Sequence, residues 1–354
     1  MNPDVNFVRG LLADHDPADS VRGDTLDRQR TLNAILTEEP ARAKIRGRWM
    51  SRRRILVVGG ALAAAAATVI AADLTRLSGH QTTNVSLATT PPLLEMGKPV
   101  YGPAVRTALL DIAAKAARQP DTIKRGKVVY TKTKGWYLNS TVATGRTSAA
   151  SIVQTQEQWI APDGSGRQLT SGEVPPWFPT MKSRSEWEKQ GRPSVGGKNG
   201  DQRYGPGQLS LEPVADTLPT DPAALRQALQ KYAAGNTGAV AVLKTIDTLY
   251  QEQPIRPRLR AALLRVLAGT GEMGYAGTVQ DRAGRSGAAF TLDQHQTGLP
   301  ERDVVIFDRD TGALLSEEEI LTKDPGKLPV HIPSVASYTL YLQSGRADAI
   351  DQRP

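Results

Sequence analysis

The residues whose types could do chemistry in this chain are few, and their spacing decides what each can do. "GTGEMG", Gly269 to Gly274, spells the G-x-G-x-x-G of a dinucleotide-binding turn. That turn needs a strand before it and a helix after it, so that a helix N-terminus meets the pyrophosphate. Here the order is reversed, and the expectation is a helix C-cap followed by a turn. "DRDTGALLSEEE" sets Asp308, Asp310 and Glu319 at positions 1, 3 and 12 of a calcium loop. Ala313 falls where that loop needs glycine for its sharp turn, so a hairpin with Gly312 in the left-handed conformation is the better reading. Acid pairs such as Asp303 and Asp308 have the chemistry of a glycosidase, but carboxylates at strand-end turns are normally solvated.

Histidine and serine chemistry are equally thin. The four histidines are His15, His80, His295 and His331, too scattered for a metal cage. No G-x-S-x-G elbow occurs, so nothing nominates a nucleophile. Cysteine is absent, which excludes disulfides, Cys-ligated zinc, iron–sulfur clusters, thiol catalysis and a lipidated N-terminal cysteine. The reading is non-enzymatic: no catalytic residue, no metal ligand and no cofactor site is assigned.

Charge is more informative than chemistry. The net charge is +8, but its distribution argues against nucleic acid as a partner. Residues 1 to 39 sum to −4, whereas residues 40 to 54 hold seven basic side chains and no acid: Arg42, Lys44, Arg46, Arg48, Arg52, Arg53 and Arg54. From Ile55 to Ala72 come 18 uncharged residues, eight of them Ala. As a helix that run is about 27 Å long, close to the ~30 Å of a bilayer core. Arg76 is the only basic residue in the twenty that follow. The positive-inside rule then places the N-terminus in the cytoplasm and the chain after Asp73 outside, a single-span plasma-membrane topology with the lipid bilayer as a partner. "SRRRIL" also resembles a twin-arginine export signal, so a cleaved leader is the rival to a permanent anchor.

These boundaries organise the chain. Residues 1–48 form a short cytoplasmic tail with helical periodicity at Val5, Val8, Leu11 and Leu12, and again at Leu26, Leu32, Ile35 and Leu36. It is a candidate docking segment for a cytoplasmic regulatory protein. Residues 49–54 are the basic membrane edge, 55–72 the transmembrane helix, and 73–100 a Thr-rich extracytoplasmic tether broken by Pro91-Pro92. Residues 101–354 are the exported domain. It begins with a helix at Pro103 presenting Val105, Leu109, Ile112 and Ala116, followed by strand-like runs over "GKVVYTKTKGWYLNSTV" and "ASIVQTQEQWIAPDGSGRQLTSG". An insertion at 172–219, with 14 of 48 residues Gly or Pro, interleaves Trp177, Phe178, Trp187 and Tyr204, a candidate lid over an apolar ligand.

Three helices should follow. The first is capped by Asp221 or Thr220 and carries Leu225, Leu229 and Tyr232; the second carries Val242, Ile246 and Leu249; the third starts near Pro257. Five short strand-like runs with turn signals close the sequence, from "YAGTVQDRAG" to "ASYTLYLQSG". Strands, then helices, then strands define an α+β class with a curved antiparallel sheet and packed helices.

Several of these segments, "FVRGLLAD", "QEQWIAPDGSGR", "LPTDPAALRQAL", "LYQEQPIRPRLRAALLRVLAG" and "SYTLYLQSGRADAIDQRP", resemble an actinomycete family of single-span membrane proteins across nearly the whole chain. Its motifs name no active site. Genes of that family often lie beside those for alternative sigma factors, so the resemblance implies a cell-envelope protein with a sensing or regulatory role. More distantly, the exported domain is similar to lipoprotein-carrier-like domains, including periplasmic regulators of sigma-factor pathways. That implies a lipid- or acyl-chain-binding module as the alternative, with an exported hydrolase as a third.

Overall fold

The computed structural model describes residues 90–354, save 124–125, 144–145, 173–180, 190, 192–198, 234–237, 296–297, 327 and 329. The tail, the seven-residue basic cluster, the 55–72 span and the lid residues Trp177 and Phe178 lie outside the described residues. Among the described residues no helix is long and apolar enough to cross a membrane.

Helices and a large antiparallel sheet make up the domain, which is α+β. In chain order the elements are α1 (Pro103–Arg118), β1 (Val128–Ala143), β2 (Arg146–Ile160), β3 (Gly166–Gly172), α2 (Met181–Lys189), β4 (Gly200–Tyr204), α3 (Pro222–Gln230), α4 (Gly238–Glu252), α5 (Pro257–Ala268), β5 (Gly274–Gln280), β6 (Ser286–Gln294), β7 (Glu301–Phe307), β8 (Leu314–Leu321) and β9 (Ser334–Ala347). The strands form one sheet in the order β4-β3-β2-β1-β9-β8-β7-β6-β5. Each neighbouring pair is antiparallel, and the last strand, β9, sits in the middle between β1 and β8.

The helices form where apolar residues recur at helical spacing. Val105, Leu109, Ile112 and Ala116 of α1 are all buried, as their spacing requires. Asp221 caps α3 by accepting from the Ala224 amide at 2.9 Å, with Pro222 in the first turn. That helix ends at Gln230, so Tyr232 falls in the following turn rather than on the helix face. Together α1, α3, α4 and α5 bury one continuous core against Phe290, Leu292, Val305, Phe307 and Leu314 on the sheet.

The opposite face of the sheet is covered by irregular chain. Leu94 and Met96 pack against Ala276, Val279, Ala289, Ile306 and Leu315. Residues 90–100, expected in the tether, are therefore part of the fold. A bulge at β5 is the physical reason: Tyr275 pairs with Phe290 and Gly277 with Ala289, leaving Ala276 extra, and its carbonyl accepts from the Gly97 amide at 3.2 Å. Val100 then bridges to Tyr275, closing the β5 edge of the sheet. A second device satisfies two more bulges. Leu315 is the extra residue between β7 and β8, Leu342 the extra residue between β1 and β9. The Arg285 guanidinium donates to the carbonyls of Leu315 and of Tyr341, both at 2.7 Å.

The hairpin expectations meet the structure at two turns. "PDGSG" joins β2 to β3, with Asp163 accepting from the Ser165 amide at 2.9 Å. Between β7 and β8 the Asp308 carboxylate accepts from the amides of Asp310 and Thr311 and from the Thr311 hydroxyl, and Gly312 has φ +66°. This is the hairpin that the missing glycine of a calcium loop suggested. Gly269 likewise caps α5, and Gly274 opens β5. The insertion is more ordered than a loop with aromatics, because α2 and the edge strand β4 lie within it.

A Cβ on Gly312 would sit 2.8 Å from Ala116 Cβ and 3.0 Å from Leu264 Cδ1, so both α1 and α5 rest on this turn. Gly312→Ala combines left-handed strain of ~1–2 kcal/mol with overpacking of ~1–3 kcal/mol. We expect chemical denaturation to show a loss of about 2–4 kcal/mol; a loss below about 0.5 kcal/mol would refute this account of the turn.

Candidate functional site: a charged cluster between helix and sheet

The centre of the helix-covered face is not wholly apolar. Residues in β-strands alternate sides, so Glu317 and Glu319 of "SEEEIL" share the helix-side face, while Glu318 points to the other face and pairs with Arg282 at 2.9 Å. Register brings more polar groups into line. Asp303 of β7 lies opposite Glu319, Ser337 of β9 lies on the far side of Glu319, and Tyr137 of β1 lies opposite Ser337. One row further, Thr339 separates Glu317 from Gly135.

Gly135 is required by its neighbour. A Cβ there would fall 2.3 Å from the Tyr137 hydroxyl, so the tyrosine ring occupies the space beside Gly135. The Tyr137 hydroxyl then meets Thr339 Oγ1 at 3.4 Å. From above, α4 contributes Lys244 and Asp247, three residues apart and hence on neighbouring positions of one helix face.

Lys244 Nζ donates to Glu319 Oε1 at 2.8 Å, Glu317 Oε1 at 2.9 Å and Asp303 Oδ1 at 3.3 Å. Ser337 Oγ donates to the other Glu319 oxygen at 2.7 Å. Asp247 accepts from the Tyr341 hydroxyl and, at 2.7 Å, from Gln251. Asp247 lies near Glu317 across the interface, and its charge acts on that carboxyl. Asp303 is fully buried, and its Oδ2 has no hydrogen-bond partner.

Four carboxyl groups thus gather around one ammonium, with Asp303 and Glu317 buried and Lys244 and Glu319 partly exposed. Burial pushes Asp303 up to about 6, with Lys244 pulling the other way. Burial and the Asp247 charge hold Glu317 well above the carboxylate range. Glu319 alone goes down, drawn by Lys244. Burial works to lower Lys244, but Glu317, Glu319 and Asp303 overcome it and raise it well above an ordinary lysine. Tyr137 rises to about 12 through burial, and Glu252, at the end of α4, is pushed up to about 8 by burial and then by Asp247. The physical result is a set of acids that keep protons at a pH where solvated carboxylates have lost them.

One oxygen each from Asp303, Glu317 and Glu319 lies within 4.8 Å of the others, a metal-like spacing. The Lys244 ammonium sits among those oxygens and supplies the cation.

The residues singled out in the sequence are placed differently. Asp303, grouped with solvated turn acids, is mid-strand and fully buried; β7 carries it into the interlayer because its alternate residues Val305 and Phe307 face the helices. Asp308 is at the far end of the same strand, roughly 16 Å along it at ~3.3 Å per residue, so the two form no glycosidase pair. Glu319 belongs to the Lys244 cluster and not to the Asp308 turn. Tyr204 packs with Val129, Ile160, Leu209 and Leu211, and its hydroxyl donates to Gln168 at 3.1 Å. Trp187 lies on α2, half-buried. Beneath α1, α4 and α5 the buried apolar side chains of helices and sheet pack as one cluster.

Lys244, Asp247, Glu317, Ser337, Tyr137 and Tyr341 were not singled out beforehand. The available signal was three consecutive acids inside an otherwise apolar strand, with a Lys and an Asp on an otherwise apolar helix. No protein-family model matches the chain, and no curated protein matches it.

Removing one partner of a buried charge set leaves the others uncompensated, at a cost of about 3–5 kcal/mol. Lys244→Met should therefore destabilise the domain by about 3 kcal/mol at pH 7, given the partial exposure of the lysine. The deficit should shrink below about pH 5, where the carboxyls take up protons. Urea titrations at pH 4.5 and 7.5 giving equal deficits would contradict the cluster electrostatics.

Proposed function

We propose that this chain is a membrane-anchored, non-enzymatic protein of the cell envelope, whose exported α+β domain senses or binds and whose tail, residues 1–48, reports to a cytoplasmic regulatory protein. The observation that carries the reading is the cluster itself. Replacing buried ions by well-packed apolar side chains is often neutral or stabilising, so a four-to-one excess of carboxyl groups over ammonium is not explained by stability. It suits a domain that answers to its medium.

The basic block before the 55–72 run and the lone Arg76 after it support the orientation. The resemblance to single-span proteins encoded near sigma factors supports a regulatory role. For the lipid- or acyl-chain alternative, the β1–β4 half of the sheet, with Tyr204 on β4 and Trp187 on α2, is where such a ligand would enter.

Because the chain has no cysteine, one thiol at a time reports topology. With an impermeant maleimide on intact cells, Ser210→Cys, at an exposed position, should label and Ser20→Cys should label only after lysis. Labelling at position 20 in intact cells, or at 210 only after lysis, would overturn the orientation.

A further inference from the structure

We propose that the outer face of helices α1 and α5 is a docking surface for a bilayer of anionic phospholipids, on which the domain rests through its arginines. Both helices bury their apolar sides in the core, and what they leave outside is basic. From Pro257 to Ala268 every residue of α5 is buried except Arg258, Arg260 and Arg265. On α1, Arg106, Lys115 and Arg118 are exposed, and Asp111 is the single acid of the two helices. The helices run antiparallel. Arg106 at the start of α1 donates to the Ala268 carbonyl at the end of α5, at 3.4 Å, while Arg256 before α5 pairs with Asp121 beyond the end of α1. Arg118 therefore lies toward Arg258 and Arg106 toward Arg265, a basic face about 18 Å long at ~1.5 Å per residue.

Some of these cations are already engaged. Lys115 pairs with Asp310 at 2.9 Å, and Arg260 donates to the Ile255 carbonyl at 2.7 Å. Among the described residues no acid pairs with Arg118, Arg258 or Arg265. Helix stability does not ask for this arrangement. Arg258 stands in the first turn of α5, where the helix dipole disfavours a cation and no acid offsets it. Three guanidiniums on one face without counter-charge are held for a partner that supplies the anions.

A bilayer fits this face better than a small anion does. The guanidiniums are spread along two helices instead of converging on one point, and Ala114 and Ala117, exposed on α1, are too short to hold headgroups away. A guanidinium fork matches phosphate oxygens in pairs and gives up its hydration readily. The chain also supplies the reach. Residues 73–89 separate the 55–72 run from the first described residue, and these 17 residues span at most about 60 Å when extended. A domain tethered that closely meets the bilayer at a high effective concentration, which a weak electrostatic surface can use.

The docking rests on the anchored reading above for its tether only, and the two can fail separately. The full-length protein is reconstituted in nanodiscs of phosphatidylcholine alone or mixed with phosphatidylglycerol, with a nitroxide on Ala114→Cys as the one thiol in the chain. Nickel-chelating headgroups should relax the label at position 114 in the anionic discs and several-fold less in the neutral ones. A label at Lys134→Cys, on the other face of the sheet from Tyr137, should respond in neither. Salt near 1 M, where the Debye length falls to about 3 Å, should abolish the difference. A chain that does not enter neutral discs refutes the anchor, and docking is then read at the same label with anionic vesicles added.

Arg118→Gln, Arg258→Gln and Arg265→Gln together remove three cations worth about fivefold each, a shift of roughly a hundredfold in the docking equilibrium. Arg118→Gln alone should give about fivefold and covers the case in which the triple variant fails to fold. Equal relaxation at position 114 in the two bilayers, or variants that dock as the wild type does, would overturn the proposal. Binding of a soluble polyanion such as heparin, without any difference between the bilayers, would assign the face to that class of polymer and overturn the bilayer.

Discussion

The ammonium of Lys244 joins the helical layer to the sheet, and the rest of the interlayer is arranged around it. It takes one oxygen from each of three carboxylates on β7 and β8, at 2.8 to 3.3 Å. Asp303 and Glu319 are direct cross-strand neighbours, a pairing that like charges normally destabilise. The lysine makes that register tolerable. Its stem leaves α4 between Leu243 and Thr245, both buried, so docking the helix and neutralising the acids are one event. Neither layer closes in this form without the other.

The sheet gives the cluster its place. With β9 central, the strands divide into β1–β4 on one side and β5–β8 on the other; the helical core packs on β6, β7, β8 and β9, and α4 also reaches β1. The charged residues lie where the apolar cover gives way to hydroxyls and amides, toward Tyr137, Ser337 and Thr339. Bulges on β5, β8 and β9 interrupt the ladder around this region, and their carbonyls are met by Gly97 and Arg285. A domain starting at residue 101 would lack the first of these donors. The segment around Met96 is thus an irregular but integral part of the fold rather than a spacer.

Much of the secondary structure was legible because periodicity and turn chemistry act locally. Val105 to Ala116, the Asp221 cap, the Gly312 turn and the five closing strands all follow from spacing and from residues with one conformational preference. The start of the domain was not legible, because residues 90–100 are held by a bulge and an edge that exist only after β5 has paired. The order of strands was hidden for the same reason, since nothing local tells β9 to insert between β1 and β8. At the site, Asp303 and Glu319 stood out as acids, but their partner Lys244 is 59 residues from one and 75 from the other. The run Ser316 to Glu319 carried the clue. Three acids in a strand between Leu315 and Ile320 must put at least one into the core, and a buried acid needs a partner that the sequence cannot name.

A second group of charges shows why the interlayer cluster is distinctive. On the opposite face, Glu157 accepts from Arg353 at 2.6 and 3.0 Å and from Tyr130 at 2.7 Å, while Lys132 stands 4.0 Å away. Arg353 and Arg167 also flank the Trp159 ring, whose indole donates to the Gln352 carbonyl. There the cations exceed the acid, Arg353 is exposed, and Glu157 is held below the ordinary carboxylate value by Arg353. Such a site is fully ionised across the neutral range and pins residues 350–354 to the sheet at any pH in it. Beneath α4 the ratio is inverted and the groups are buried, so charge balance there is completed by protons. One fold holds both, and burial separates them: it raises Asp303 and Glu317, whereas Arg353 lowers Glu157.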